Sequence, residues 1–156
     1  MATIADELYS LVVPLESDRL IVPRSCVAEI VRYTLIEETE DDQHWLRGKA
    51  SWNGREIPVV SFERLCGFTP PAPGGRTRIV VFHPLSVGEV SQPYGLLAEG
   101  FPQMVRVNSD VVEADTDYTP PTDAPIVCQA RLLQERALIP DLEIIEALLR
   151  DAEATS

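Results

Sequence analysis

Proline and glycine recur along this chain at intervals too short to leave room for long helices. Thirteen prolines and eight glycines divide it into brief apolar runs. Runs of that length, bounded by such residues, favour strands joined by turns. Residues 45–67, WLRGKASWNGREIPVVSFERLCG, show the pattern at its sharpest. Asn53-Gly54 separates LRGKASW from REIPVVS. Asn-Gly favours a two-residue type I′ turn, in which both central residues take positive φ, so a β-hairpin is predicted. Pro58 has no N–H to give to a ladder, which places its strand at a sheet edge or at a bulge. Phe62 to Cys66 reads as one helical turn, stopped by Gly67 in a left-handed cap.

The same reading extends in both directions. Residues 8–15 (LYSLVVPL) and 19–22 (RLIV) read as strands around the polar turn Glu16-Ser17-Asp18. In residues 23–32, Val27, Ile30 and Val31 fall at i, i+3 and i+4, the spacing of a short helix. Residues 37–43, EETEDDQ, read as a solvated acidic run. Residues 68–78, FTPPAPGGRTR, form a loop that cannot carry a ladder. Beyond it, residues 79–82 (IVVF) read as a buried strand, and residues 94–99 and 101–107 as two strands paired through Gly100. Residues 109–124 read mostly as loop. Residues 126–133 and 136–139 make a further hairpin, turning at Gln134-Glu135. A final helix follows Pro140, with Leu142, Ile145, Leu148 and Leu149 as its apolar stripe. Asp141, Glu143 and Glu146 lie early and Arg150 late, as the helix dipole prefers.

The expected architecture is mainly β: about ten strands in two small barrels that support one another, with short helices and a C-terminal helix. The boundaries are drawn at 8–68 and 76–140, with the helix over 141–151, inside one domain spanning 1–156. Halves this small are marginal alone.

The formal net charge is −12 and the sequence pI about 4.5. Affinity for nucleic-acid phosphates is therefore not expected, since it rests on clustered Lys and Arg. An anionic membrane surface is disfavoured for the same reason, and no apolar run reaches the length of a span. The start, MATIADELYS, carries acids and no basic stretch, and is not read as a signal peptide. Cys26, Cys66 and Cys128 are odd in number and widely spaced, which fits a reducing cytoplasm better than a disulfide framework.

The residues that could carry chemistry do not combine into a reactive constellation. Cys66 closes its helical turn at the wrong dipole end for a low thiol pKa, and Cys26 has apolar neighbours, so both read as buried small hydrophobes rather than nucleophiles served by His44 or His83. His83 reads as a strand-end residue. No Cys-x-x-Cys or His-x-x-x-His spacing suggests a metal, and no cofactor is expected. Gly74-Gly75 lacks the Lys-Ser/Thr of a phosphate loop, and no Gly-x-Ser-x-Gly elbow is present. Surface for partners remains. Trp45 and Trp52 are read first as core or hairpin-packing residues.

Several segments, taken in order, resemble the CheW-like domain family. Val27-Ala28-Glu29-Ile30, after Leu20-Ile21-Val22-Pro23, is similar to the family's V-x-E-I segment. Leu46-Arg47-Gly48, Trp52-Asn53-Gly54 and Ile57-Pro58-Val59-Val60 are similar to its Gly, its hydrophobic-Arg-Gly turn and its V-P-V-I-D-L strand. Gly95-Leu96-Leu97-Ala98-Glu99-Gly100 is similar to a second-half strand, and Leu138-Ile139-Pro140-Asp141-Leu142 to the last strand and helix start. The likeness spans roughly residues 8–150. It implies two SH3-like five-stranded barrels and a non-catalytic cytoplasmic adaptor recruited to membrane-associated receptor arrays. The implied partners are the regulatory domain of a CheA-like histidine kinase and the cytoplasmic tip of a chemoreceptor, in taxis or pilus-based twitching motility.

Carried over by residue, the resemblance puts Val27, Glu29 and Gly48 at receptor-docking positions. Asn53 stands at the turn position where the family usually has Arg, and Ser61 and Glu99 stand where it has Asp. Gly48 is read as admitting close approach of a partner, so that Gly48→Trp weakens binding and leaves the fold cooperative. The alternative readings are a small-molecule-sensing or other protein-binding barrel without kinase coupling, a Cys enzyme, and an antagonist that occupies an adaptor's place.

Overall fold

The computed structural model describes residues 8–41, 44–85, 92–107, 112–115, 117–121, 123–132 and 135–154. Twelve strands among them build two six-stranded sheets. In chain order they are β1 (Leu8–Pro14), β2 (Arg19–Pro23), β3 (Val27–Arg32), β4 (Glu37–Glu38), β5 (Leu46–Trp52) and β6 (Arg55–Val60), then β7 (Arg78–Phe82), β8 (Tyr94–Ala98), β9 (Gln103–Val107), β10 (Val112–Ala114), β11 (Ile126–Leu132) and β12 (Glu135–Pro140). The helices are α1 (Phe62–Leu65) and α2 (Leu142–Ala154). The mainly β reading in two units holds, and each sheet gains a short sixth strand, β4 or β10.

The sheets do not follow the two halves of the chain. The first sheet runs β10-β11-β12-β2-β1-β9 and the second β3-β7-β8-β6-β5-β4. Each therefore draws strands from both sides of residues 68–77, so a division at 8–68 and 76–140 does not match the strand partition. Two short parallel pairings stitch the halves together: Leu138 beside Leu20 in the first sheet, and Val59–Val60 beside Gly95–Leu96 in the second. For the same reason β8 and β9 do not pair through Gly100. Strand β8 is interior to the second sheet, and β9 is the edge of the first beside β1. Their burial explains it: four of five β8 residues are buried, whereas Gln103, Met104 and Arg106 of β9 are exposed. At the crossover Glu99 N–H donates to Pro14 O at 2.8 Å.

Residues 23–32 correct the helical expectation. Only Arg24–Cys26 form a 3-10 turn, and Val27–Arg32 are β3. A bulge against β7, between Val27 and Glu29, adds a residue, so Val27 and Ile30 face one core while Ala28 and Val31 face another. A bulged strand thus imitates the i, i+3 spacing of a helix. The hairpin at residues 53–54 forms as expected, with φ of 51° at Asn53 and 77° at Gly54. Pro58 is not at an edge, because β6 lies between β5 and β8. The proline is accommodated because β8 pairs only with Val59 and Val60, and the irregularity falls in β5 between Leu46 and Gly48. Helix α1 is capped by Ser61 Oγ, which accepts from Arg64 N at 3.3 Å, and the chain leaves it through Gly67 at φ 88°. The β11–β12 pair forms, with Glu135 already in the strand; Gln134 lies outside the described residues, as do Asp42 and Gln43 of the acidic run and residues 109–111.

Among the described residues three apolar clusters hold the fold. The largest lies between the sheets and takes Leu11, Leu20, Val60, Phe82, Tyr94 and Leu96 from the strands and Leu142, Ile145 and Leu149 from α2. Phe82 and Tyr94 stack at 5.5 Å inside it. Each large side chain fully buried there contributes about 1.5–3 kcal/mol. Smaller clusters built on Ile57, Val59, Ile79 and Val81, and on Ile21, Val107 and Ala137, fill the opposite faces of the two sheets. Asp141 caps α2, its Oδ1 accepting from Ile144 N at 3.2 Å. Glu146, expected only to match the helix dipole, also lies on the buried stripe, and its Oε2 accepts from Leu85 N at 2.8 Å.

Candidate partner-binding surface

The expected site residues fall in three places. Two of them share a corner. Trp52 ends β5 just before the turn, and its indole Nε1–H donates to Glu29 Oε1 at 3.1 Å. Strands β3 and β5 are separated by β7, β8 and β6 in the sheet order, so this bond requires the second sheet to curl until β3 meets β5. Apolar side chains from those strands, among them Ala28, Val31 and Trp52, fill the inside of the curl. The corner thus exposes a carboxylate and, at the adjoining turn, the Asn53 side chain, with the half-buried Trp52 indole between them.

Gly48 lies four residues back along β5, about 13 Å at strand rise. It is buried at φ 142° with β4 directly over it. A Cβ there would overlap the Glu37 carbonyl oxygen and crowd Glu38 Cα. The close approach that needs this glycine is made by the chain's own backbone, not by a partner, so Gly48→Trp strikes the fold first. Strand β4 is held on both sides of the pairing by Ile36 N–H to Lys49 O at 2.8 Å and Thr39 N–H to Arg47 O at 3.0 Å. Beside it opens a groove of about 270 Å³, floored by Leu46, Pro58, Leu149 and Ala152, with Glu37, Glu38, Glu56 and Lys49 around the mouth. Sequence reading did not find this groove, because its wall joins a two-residue strand to the last turns of α2, more than 100 residues away.

Val27 is not presented with the others. Its side chain is half-buried and packs on the core between the sheets, beside Cys26, Ile30 and Trp45. Trp45 fills the packing role expected of it and stacks on His44 at 5.0 Å. His44 Nδ1 accepts from Leu46 N, and His83 sits exposed at the end of β7. Burial pushes the Cys26 and Cys66 thiols up, the latter to about 12, with nearby carboxylates adding to the shift. That is opposite to the change a thiolate nucleophile needs. Among the described residues no three His, Cys, Asp or Glu side chains are grouped to hold a metal ion.

Two six-stranded sheets packed on a shared core define the class of fold. The CheW-like domain model matches residues 10–151, and the chain belongs to that family of chemotaxis adaptors and scaffolds. Among solved structures the chain is similar to the scaffolding protein TtCheW from Thermoanaerobacter tengcongensis, with a TM-score of 0.70 and 18% identity over 86% of this chain and 84% of that one. At that identity the likeness speaks for the fold. No curated protein matches the chain in sequence.

Proposed function

We propose that this protein is a non-catalytic cytoplasmic adaptor coupling chemoreceptors to a chemosensory histidine kinase, for taxis or pilus-based motility. The observation that carries the reading is the family match along residues 10–151. The proposed partners are the regulatory domain of a CheA-like kinase and the cytoplasmic tip of a receptor. The second sheet supplies the contacts: the Glu29–Trp52–Asn53 corner offers polar recognition, and the groove beside Gly48 offers an apolar floor under an acidic rim. Function is assembly. By holding receptor and kinase in one geometry, the adaptor lets a receptor's conformational preference bias the kinase. Attachment to the membrane comes through the receptor. Among the described residues no helix is long and apolar enough to cross a membrane.

Calorimetry with the regulatory domain of a chemosensory kinase from the same organism tests this reading. Saturable one-to-one binding is expected, and its absence with a folded protein overturns kinase coupling. Asn53 in place of the family's Arg favours a second reading, an occupant of the array that does not activate. Asn lacks the charge and the forked donor of Arg. Reconstituted kinase activity separates the two: wild type stimulates if it couples, and Asn53→Arg stimulates where wild type does not if it blocks.

A further inference from the structure

A second hollow lies where the β1–β2 turn, α1 and residues 118–121 meet. It measures about 240 Å³ and is lined by Leu15, Phe62, Cys66, Phe68, Tyr118 and Ile126, with Asp18 and Glu63 also on its wall. It shares no lining residue with the groove beside Gly48. Phe62 and Cys66 are buried at its base, while Phe68 is 55% exposed. A large aromatic ring left that open beside an apolar hollow resembles half of a contact.

The charged side chains on its wall, Asp18 and Glu63, are both acidic. Glu63 accepts a hydrogen bond from the Glu16 backbone, and its carboxyl is held above the usual carboxylate range by burial and by Glu99, Glu16 and Asp18. Burial and Glu16 do the same to Glu99, which Arg76 only partly offsets. Asp18 adds to the upward push on both the Cys66 thiol and the Tyr118 hydroxyl. Asp18 and Glu63 thus set two carboxylates on the wall of an apolar space, a potential that a cation relieves.

We propose that this hollow docks a segment of a partner protein that presents an Arg or Lys beside one apolar side chain. Its volume is below the range of small-molecule pockets and suits a single anchoring side chain. The apolar anchor seats on Phe62 and Ile126. The cation meets Asp18 and Glu63, and its aliphatic stem lies along Phe68, whose ring face also attracts it. An acidic partner is repelled. A second copy of this chain is a poor occupant, since each copy carries a formal net charge of −12. The hollow shares no residue with the corner and groove proposed for kinase and receptor, so its test is read apart from that proposal.

The test is amide NMR of the full ¹⁵N-labelled chain titrated with three capped hexapeptides, centred on Arg-Leu, Glu-Leu and Arg-Ser. The Arg-Leu peptide is expected to shift amides of residues 15–18, 62–68 and 118–119 saturably and to weaken as salt rises. The other two peptides are expected to leave those amides in place. Asp18→Asn and Phe68→Ala, both at exposed positions, are each expected to weaken the Arg-Leu peptide about fivefold with the rest of the spectrum unchanged. Four results overturn the proposal: equal shifts with Glu-Leu, shifts confined to the Gly48 groove, no shift at millimolar peptide, or the same amides shifting with protein concentration alone, which marks a second copy as the occupant.

Discussion

Replacing Gly48 by alanine adds one methyl group, and the structure gives that methyl nowhere to go. At φ 142° an L side chain is strained, at a cost of about 1–3 kcal/mol. The new Cβ also overlaps the Glu37 carbonyl oxygen, which is backbone and cannot swing aside as a side chain would. Relief requires β4 to leave β5. That abandons the Ile36–Lys49 and Thr39–Arg47 hydrogen bonds, each worth about 1 kcal/mol net. The sum is roughly 3–5 kcal/mol, a large part of the stability of a domain this size. Gly54→Ala is the control. It also has positive φ, 77°, but no atom lies within 4 Å of its Cβ, so strain acts alone at about 1–2 kcal/mol. Urea unfolding measures both, and hydrogen exchange reads the Ile36 and Thr39 amides directly. Gly48→Ala is expected to lose stability beyond Gly54→Ala and to lose protection at those two amides. Equal losses in the two variants, with Ile36 and Thr39 still protected, would refute the argument.

Cys66 links stability to alkaline pH. Its folded pKa is raised to about 12 by burial, Asp18 and Glu63, whereas an unfolded thiol titrates near 8.5. The folded chain keeps this proton where the unfolded chain has lost it, so the contribution is full below about pH 8.5 and declines as pH rises toward 12. Urea midpoints from neutral to alkaline pH are expected to fall less steeply in Cys66→Ala. Glu63 is raised by burial and neighbouring acids, so its charge opposes folding at neutral pH. Glu63→Gln is expected to raise Tm at neutral pH, with the gain shrinking on acidification as the wild-type carboxyl takes its proton. Tyr94 Oη is buried without a partner among the described residues, and Tyr94→Phe is expected to match or exceed wild type in a urea melt.

Local chemistry was legible in the sequence wherever a few adjacent residues decide the outcome. The Asn53-Gly54 turn, the Gly67 cap and the Leu142, Ile145 and Leu149 part of the α2 stripe follow from backbone dihedrals or helical period. What could not be read is set by contacts distant in sequence. Nothing local to Tyr94–Ala98 says that it lies between β7 and β6 instead of turning back through Gly100. A bulge at β3 turned strand alternation into helical spacing. Pro58 obeyed the rule that forbids a ladder donor, but β8 simply stops short of it, so the strand is interior all the same. The candidate site divides in the same way. Family resemblance picked Glu29 and Asn53, which share a corner, yet Trp52, the residue that joins them, was read first as a packing residue, which it also is. Glu146 was read from its place along the helix, and its burial depends on a loop 61 residues earlier.

The Trp52–Glu29 bond raises a question that stability alone cannot answer, because Glu29 has two possible employers. It anchors the indole across the mouth of the curled sheet, and the adaptor reading also gives it to a partner. The bond is exposed, so its worth is small, about 0.5–1 kcal/mol. Trp52→Phe removes the donor and keeps a ring. Glu29→Gln keeps an acceptor and removes the charge. If Glu29 only holds the sheet, Glu29→Gln is nearly silent, and any loss of affinity follows the loss of stability across Trp52→Phe and Glu29→Ala. If its charge meets a partner, Glu29→Gln melts like wild type yet binds receptor tip or kinase domain several-fold more weakly, because a charged hydrogen bond outweighs a neutral one. The second pattern is expected. Glu29→Gln binding both partners like wild type would remove Glu29 from the docking surface and leave it a strut of the second sheet.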